Sequence, residues 1–342
     1  MFLKPIKALL LAAVLLVPAF TAWLARELST PVGKESTAVF FDVEKGRSAR
    51  GVVEGLRQCG LVRSALPLRL ACRLFYPEEL FKAGEYQFSP PLKPKNVLFQ
   101  VFKGRIHLQP FTIPEGLTGR DIAELLRPGD AEVSAVFERA FLDVGLIADW
   151  DPRAKDLEGY LFPDTYHLPR QAPVAELIAA MVAEFREVFD EDRRLRAAEL
   201  GMSVRDVVTL ASLIEEETAL PEERPLVSAV FHNRLRIGMK LDCDPTVIYA
   251  LKLENKYAGR LLLRDLKFPS PYNTYMRPGL PPGPISNPGK TSIDAALNPA
   301  PEKYLYFVFQ SDGSHRFSRT LGEHLDAVRN YRGLKKKRNL IY

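Results

Sequence analysis

The chain opens on an unbroken run of apolar residues and then alternates between short strand-like and longer helix-like patterns. From Ala8 to Leu24 (ALLLAAVLLVPAFTAWL) there is no charge, with Lys4 and Lys7 before it and Arg26 and Glu27 after. A bilayer core takes roughly 20 apolar residues, with a range of about 17–25, so the run predicts a transmembrane helix over residues 1–25. Lysines on the short upstream flank predict that the N-terminus stays inside and everything after Trp23 is exported. The competing reading is a cleaved leader, whose apolar region usually runs about 7–15 residues; Ala19, Thr21 and Ala22 supply small residues for it. Residues 26–36 are polar, contain Pro31 and Gly33, and read as a linker.

An internal echo follows. Phe41-Asp42-Val43 leads through Gly46 and Ser48 to Arg50, Val52, Glu54, Leu56 and Arg57, and Phe111-Thr112-Ile113 leads through Gly116 and Thr118 to Arg120, Ile122, Glu124, Leu126 and Arg127. Each copy reads as a short strand, a glycine turn, a hydroxyl cap and an amphipathic helix. The cap works because the hydroxyl oxygen accepts a hydrogen bond from an orphan amide of the helix's first turn. Such a unit resembles the LysM module, a small glycan-binding fold, and is also a common strand–helix building block. Gly84–Phe88 alternates as a strand does, with Pro90, Pro91 and Pro94 beyond it, and Val97–Phe102 reads as a strand or the start of a helix. Residues 131–148 and 172–200 are helical in period and content.

Composition narrows the class. With 46% hydrophobic and 26% charged residues in 342, the chain is an ordinary globular one of two or three domains. A net charge of +5 is mildly basic, and the run Lys335-Lys336-Lys337-Arg338 carries much of it. No nucleic-acid reader motif accompanies that charge; a basic tail suits an anionic membrane surface or a solvated terminus. The three cysteines, Cys59, Cys72 and Cys243, have no metal-ligand spacing, so no metal site is expected. Cys59 and Cys72 are candidates for a bridge in an oxidising compartment.

Candidate chemistry begins near residue 157, where loops rich in proline, tyrosine and asparagine alternate with helices. The segment Arg205–Thr218 (RDVVTLASLIEEET) predicts a helix with Val207, Val208, Leu210, Ala211, Leu213 and Ile214 on one apolar face. Glu216 projects with Thr209 and Ser212 on the polar side and reads as solvated. Glu215 and Glu217 are both drawn against apolar surface, at a helix C-terminus whose dipole disfavours negative charge. Burial, like-charged neighbours and the dipole all favour the protonated acid. Moving a glutamate from about 4.3 to the range of about 6–7 that suits a general acid is a difference of roughly 3 kcal/mol. Periodicity leaves Glu215 and Glu217 tied, and a charged helix end pairing with Arg224 or Arg234 is the bland alternative. Farther on, the proline- and glycine-rich loops present tyrosine faces and asparagine amides, groups that suit sugar rings; Asp244-Pro245-Thr246 also suits a plain helix cap.

EGYLFPDTY, LASLIEEET, FHNRLRIGMKLDCDPTVIYAL, YNTY, GLPPGPISNPG and YLYFVFQSDGSHRFSRTLGEH occur in this order. Together they resemble the endolytic murein transglycosylase family, the MltG or YceG-like proteins, over essentially the whole chain after the first helix. The resemblance implies an α+β fold: an N-terminal transmembrane helix, a LysM-like strand–helix region over 37–150 and a C-terminal α+β catalytic domain over 151–342. It implies a single-pass inner-membrane protein with a periplasmic catalytic domain, peptidoglycan strands as substrate, peptidoglycan synthases as partners and no cofactor. The expected reaction cuts between N-acetylmuramic acid and N-acetylglucosamine and leaves a 1,6-anhydro end. The family's catalytic glutamate carries over to Glu217, and Glu217-Thr218 looks like the glutamate–hydroxyl pair of other lytic transglycosylases. Asn233, Tyr272, Asn273 and Tyr275 are expected to contact substrate. Glu216 stands where relatives often carry lysine. A wall-binding scaffold without catalysis and a hydrolytic muramidase are the rival readings; the latter needs a second carboxylate, for which Asp164 and Asp244 are candidates.

Overall fold

The computed structural model describes residues 3–33, 38–77, 80–126, 131–169, 172–310 and 312–338, with the side chains of these except 3–13, 131 and 334–338. The chain forms two compact units, Met1–Pro110 with His167–Gln171 and Phe111–Tyr166 with Ala172–Tyr342, where the sequence suggested boundaries at 36/37 and 150/151.

The first unit holds α1 (Leu3–Ser29), β1 (Val39–Val43), α2 (Ala49–Gln58), α3 (Ala65–Phe75), β2 (Gly84–Phe88) and α4 (Pro94–Lys103). β1 and β2 pair antiparallel, Phe41 opposite Tyr86, so the order is strand, two helices, strand. Alternation puts Phe41 and Val43 inward, against Val52, Val53, Leu56, Leu68, Tyr86, Phe88, Val97 and Val101. Gly55 of α2 has no room for a side chain, since a Cβ there would lie 2.7 Å from the Phe41 ring. The Val97–Phe102 stretch resolves as helix: Pro94 starts α4 and Gly104, at positive φ, ends it. Cys59 and Cys72 are free thiols.

The N-terminal expectation is corrected. Among the described residues no helix is long and apolar enough to cross a membrane. The side chains of residues 8–13 lie outside the described set. Leu24 is buried, and Leu28 packs against the core of the first unit while α1 lies along α3 and α4. The transmembrane helix and the single-pass inner-membrane placement built on it are therefore not retained. The side chains of the basic run 335–338 also lie outside the described set.

The chain passes from the first unit to the second within β3 (Gln109–Thr112), which pairs with β4 (Thr165–Leu168). The second unit continues with α5 (Gly119–Leu126), α6 (Ala131–Phe141), α7 (Val174–Val188), α8 (Glu191–Glu199), α9 (Val204–Glu217), α10 (Arg224–Arg236), α11 (Asp244–Leu253), α12 (Lys290–Leu297), the antiparallel hairpin β5 (Tyr306–Phe309) and β6 (His315–Ser318), and α13 (Leu321–Arg338). The echo holds locally: Ser48 accepts from Gly51 N–H at 3.2 Å, and Thr118 and Asp121 bond reciprocally at the start of α5. The helix expected over 172–200 is two helices, because Asp190 caps a new start by accepting from Arg193 N–H. The centre of the unit is α9, which packs against α8, α10, α11 and α12 and is buried at every position from Val207 to Ile214.

Candidate active site

A Ser203–Asp206 capping box starts α9, and the helix delivers three glutamates to its last turn. Thr209 and Ser212, expected on a solvated side, are 1% and 0% exposed. Ser212 Oγ donates to Thr209 O at 2.7 Å and accepts from Ile285 N–H at 3.1 Å. The polar side of the helix is thus the seat of the loop GLPPGPISNPG.

The three carboxyl groups meet different surroundings. Glu215 receives Arg224 Nη2 at 2.8 Å and Gly289 N–H at 3.0 Å, with side chains of Arg224 and Glu215 only 7% and 6% exposed. Burial raises its pKa while Arg224 opposes that; this carboxylate is committed to an ion pair. Glu216 is exposed as a residue, yet its carboxyl is pushed up to about 7, by desolvation first and then by Glu215 and Asp121, against Ser286 and Lys252. Glu217 is also pushed up to about 7: burial dominates, the negative charges of Asp244 and Glu216 add to it, and the Cys243 thiol and Arg234 work against it. Among the described residues Glu217 makes no salt bridge. A carboxyl poised near neutrality and free of an ion pair can give a proton and take one back.

The wall around Glu217 comes from α10 and the start of α11. Cys243, fully buried, caps α11; its N–H donates to Thr274 Oγ1 at 3.0 Å and its carbonyl accepts from Thr246 Oγ1 at 2.7 Å. The two threonine hydroxyls lie 2.9 Å apart, so the YNTY loop is bolted to the DCDPT segment. Tyr275 Oη donates to Asp244 Oδ1 at 2.6 Å and feels the charge of Glu217. Arg234 donates to the carbonyls of Leu305 and Leu241, each at 2.7 Å.

The structure places the four expected contact residues differently from one another. Tyr275 stands with Asp244 beside Glu217. Asn273 is fully buried; its amide donates to Leu266 O and Phe268 O, and its carbonyl oxygen accepts from Tyr275 N–H, so it shapes the loop that presents Tyr275. Tyr272 packs against Tyr249 with ring centroids 5.0 Å apart. Asn233 donates to Glu302 O and Tyr304 O and borders a hollow of about 720 Å³ whose lining does not include Glu217. Of the two candidates for a second carboxylate, Asp244 is in the field of Glu217, whereas exposed Asp164 takes Thr165 N–H in a local turn.

Three buried carboxylates escaped the sequence reading, and one of them, Asp151, accepts from Tyr160 Oη at 2.7 Å and from Arg205 Nη1 at 2.5 Å. Glu158 accepts from Gly119 N–H at 3.0 Å and Asn287 Nδ2 at 3.1 Å, and lies 3.3 Å from Tyr249 Oη; burial pushes it up to about 8. Glu223 is 6% exposed and meets Thr218 and His315. Glu158 leads straight into the apolar Tyr160-Leu161-Phe162, which is a signal of burial; Glu223, in a charged run after Pro221, carries no such signal.

Comparison with known proteins gives a consistent answer. A protein named endolytic murein transglycosylase from Bacillus subtilis is 31% identical over 325 residues, covering 90% of this chain and 88% of its own length. A protein of the same name from Streptococcus pneumoniae is 27% identical, and the match spans 84% of this chain and 58% of that longer relative. A crystal structure of a putative YceG-like protein from Listeria monocytogenes superposes with a TM-score of 0.58 at 29% identity, covering 86% of this chain and 99% of that one. The profile of the YceG-like family matches residues 41–330, and the chain belongs to that family.

Proposed function

We propose that the chain is an endolytic murein transglycosylase, the activity for which its relatives are named, with Glu217 as acid and then base. The observation that carries the choice lies within one helical turn: buried Arg224 pairs with Glu215, whereas Glu217, pushed up to about 7 by burial, makes no salt bridge among the described residues. Glu216 is raised as far, and the wall of Cys243, Asp244 and Tyr275 at Glu217 favours Glu217. Protonated Glu217 gives its proton to the glycosidic oxygen between N-acetylmuramic acid and N-acetylglucosamine as the bond breaks through an oxocarbenium-like state. The substrate's own acetamido oxygen stabilises the anomeric carbon. Glu217, now a carboxylate, takes the proton from O6, and O6 closes the 1,6-anhydro ring. Proton count balances with one carboxyl group and no water consumed. Tyr275 and Asp244 flank the reacting sugar in this reading, and Asn273, Tyr272 and Asn233 support the loops around it. Nascent strands are the proposed substrate, and synthases that make them the proposed partners.

The test is product analysis on purified glycan strands. Wild-type protein is expected to yield anhydro ends, and Glu217→Gln to lose them by at least about 100-fold, a magnitude at the low end for removing a general acid–base group. Anhydro ends formed undiminished by Glu217→Gln would remove Glu217 from this role; no cleavage by the wild type would favour the wall-binding scaffold.

A further inference from the structure

We infer that His315 is a positioning residue for Glu217, acting through Glu223 and Thr218. It rests on the reading of Glu217 as the reacting group and concerns how that group is aimed. Thr218 is the residue after Glu217 and the C-cap of α9. Its hydroxyl donates to Glu223 Oε2 at 3.1 Å and accepts from Leu220 N–H at 3.1 Å, so the turn that ends the helix is held by one side chain. The same Glu223 carboxylate receives His315 twice: the backbone N–H reaches Oε1 at 2.7 Å, and ring Nδ1 lies 2.6 Å from Oε2. Thr218 Oγ1 and the His315 N–H already donate to this carboxylate, and a carboxylate only accepts, so we assign Nδ1–H as the donor of the short contact. Thr218 and Glu223 are 4% and 6% exposed, and the His315 side chain 9%.

The arrangement is a strut between two distant parts of the second unit. His315 opens β6, and its ring stands edge-on to Phe307 and Phe309 of the paired strand β5. The hairpin therefore fixes the ring, the ring and backbone fix Glu223, and Glu223 fixes the hydroxyl one residue from the reacting carboxyl. A helix end is otherwise less constrained than its middle, because the last carbonyls lack partners within the helix. A displacement of about 1 Å at a reacting group can cost about 100-fold in rate, so a strut at this position acts on turnover and leaves strand binding alone.

The substitutions that separate aiming from packing are His315→Phe, which keeps the aromatic contacts and removes the Nδ1 donor, and His315→Asn, whose amide nitrogen stands near the Nδ1 position. For the full-length chain on purified glycan strands, His315→Phe is expected to lower kcat about 10- to 100-fold with KM within about twofold. His315→Asn is expected to recover most of the loss. Wild-type kcat in His315→Phe, or a loss in His315→Asn that exceeds the loss in His315→Phe, overturns the inference, because the ring then matters only as packing. If His315→Phe does not fold, Thr218→Val removes the other side-chain donor to Glu223 at constant shape. It must show the same split between kcat and KM, and wild-type kcat in that variant likewise overturns the inference. The two readings fail separately: an inactive wild type counts against the transglycosylase reading, while an active wild type, an inactive Glu217→Gln and a fully active His315→Phe count only against the strut.

Discussion

At the scale of single residues, the second unit contains several carboxyl groups that burial holds above their ordinary range, and they do different work. Glu217 must be protonated to act as an acid, so kcat is expected to fall about tenfold per pH unit above about 7; a flat profile between pH 6 and 9 would contradict that role. Glu158, pushed from 4.5 to about 8, makes a prediction about stability instead. The folded protein keeps a proton that the unfolded chain releases between those values, so this group's contribution to stability falls as pH rises from about 4.5 through about 8. In Glu158→Gln the amide oxygen accepts the Gly119 and Asn287 donors and the amide nitrogen faces Tyr249. That variant is expected to match the wild type near pH 5 and to melt higher at pH 9, the difference being on the order of a few kcal/mol. Melting curves at the two pH values decide it; a variant less stable at both would mean that Glu158 folds as a carboxylate.

At the scale of elements, α9 shows why a periodic pattern is only half the information. Its apolar face is where the periodicity puts it. Thr209 and Ser212 on its polar face are buried as well, because Ser212 receives the backbone of the 279–289 loop, and Glu215 beside that face receives Gly289 N–H and Arg224 of α10. Amphipathicity says which positions are apolar; it does not say what covers the others. Arg224 reaches Glu215, Glu115 and Thr291 from one guanidinium, so Arg224→Met leaves a buried carboxylate without its counter-charge. The expected loss is about 3–5 kcal/mol, read as a lower denaturation midpoint. Glu215→Gln combined with Arg224→Met is expected to restore a good part of that loss, since both charges are then gone.

At the scale of the whole molecule, every group invoked in the proposed chemistry lies in the second unit, within 111–166 and 172–342. The mechanism consumes no water, which gives a prediction independent of any substitution. Cleavage in ¹⁸O-labelled water is expected to leave the new muramoyl ends unlabelled, whereas a muramidase using Asp244 as base would place one ¹⁸O on each new reducing end. Mass spectrometry of the released fragments distinguishes the two.

Much of this was open to a reader of the sequence. The β1–α2 and β3–α5 echo, the caps at Ser48 and Thr118, the helix that carries the glutamates and the likeness to a single family are properties of local pattern. Short-range periodicity and capping chemistry act between residues a few positions apart. The apolar run at the N-terminus shows the limit of that reasoning. Its composition suggested a span, but among the described residues no helix is long and apolar enough to cross a membrane, and Leu24 at the end of the run is buried. Only the tertiary structure distinguished the surroundings of Glu215 and Glu217, since Arg224, which pairs with Glu215, sits on another helix. Only it joined Thr218 to His315, or set Glu158 among Gly119, Tyr249 and Asn287. Desolvation and ion pairing depend on which distant segments close over a group, and no spacing along the chain encodes that distance.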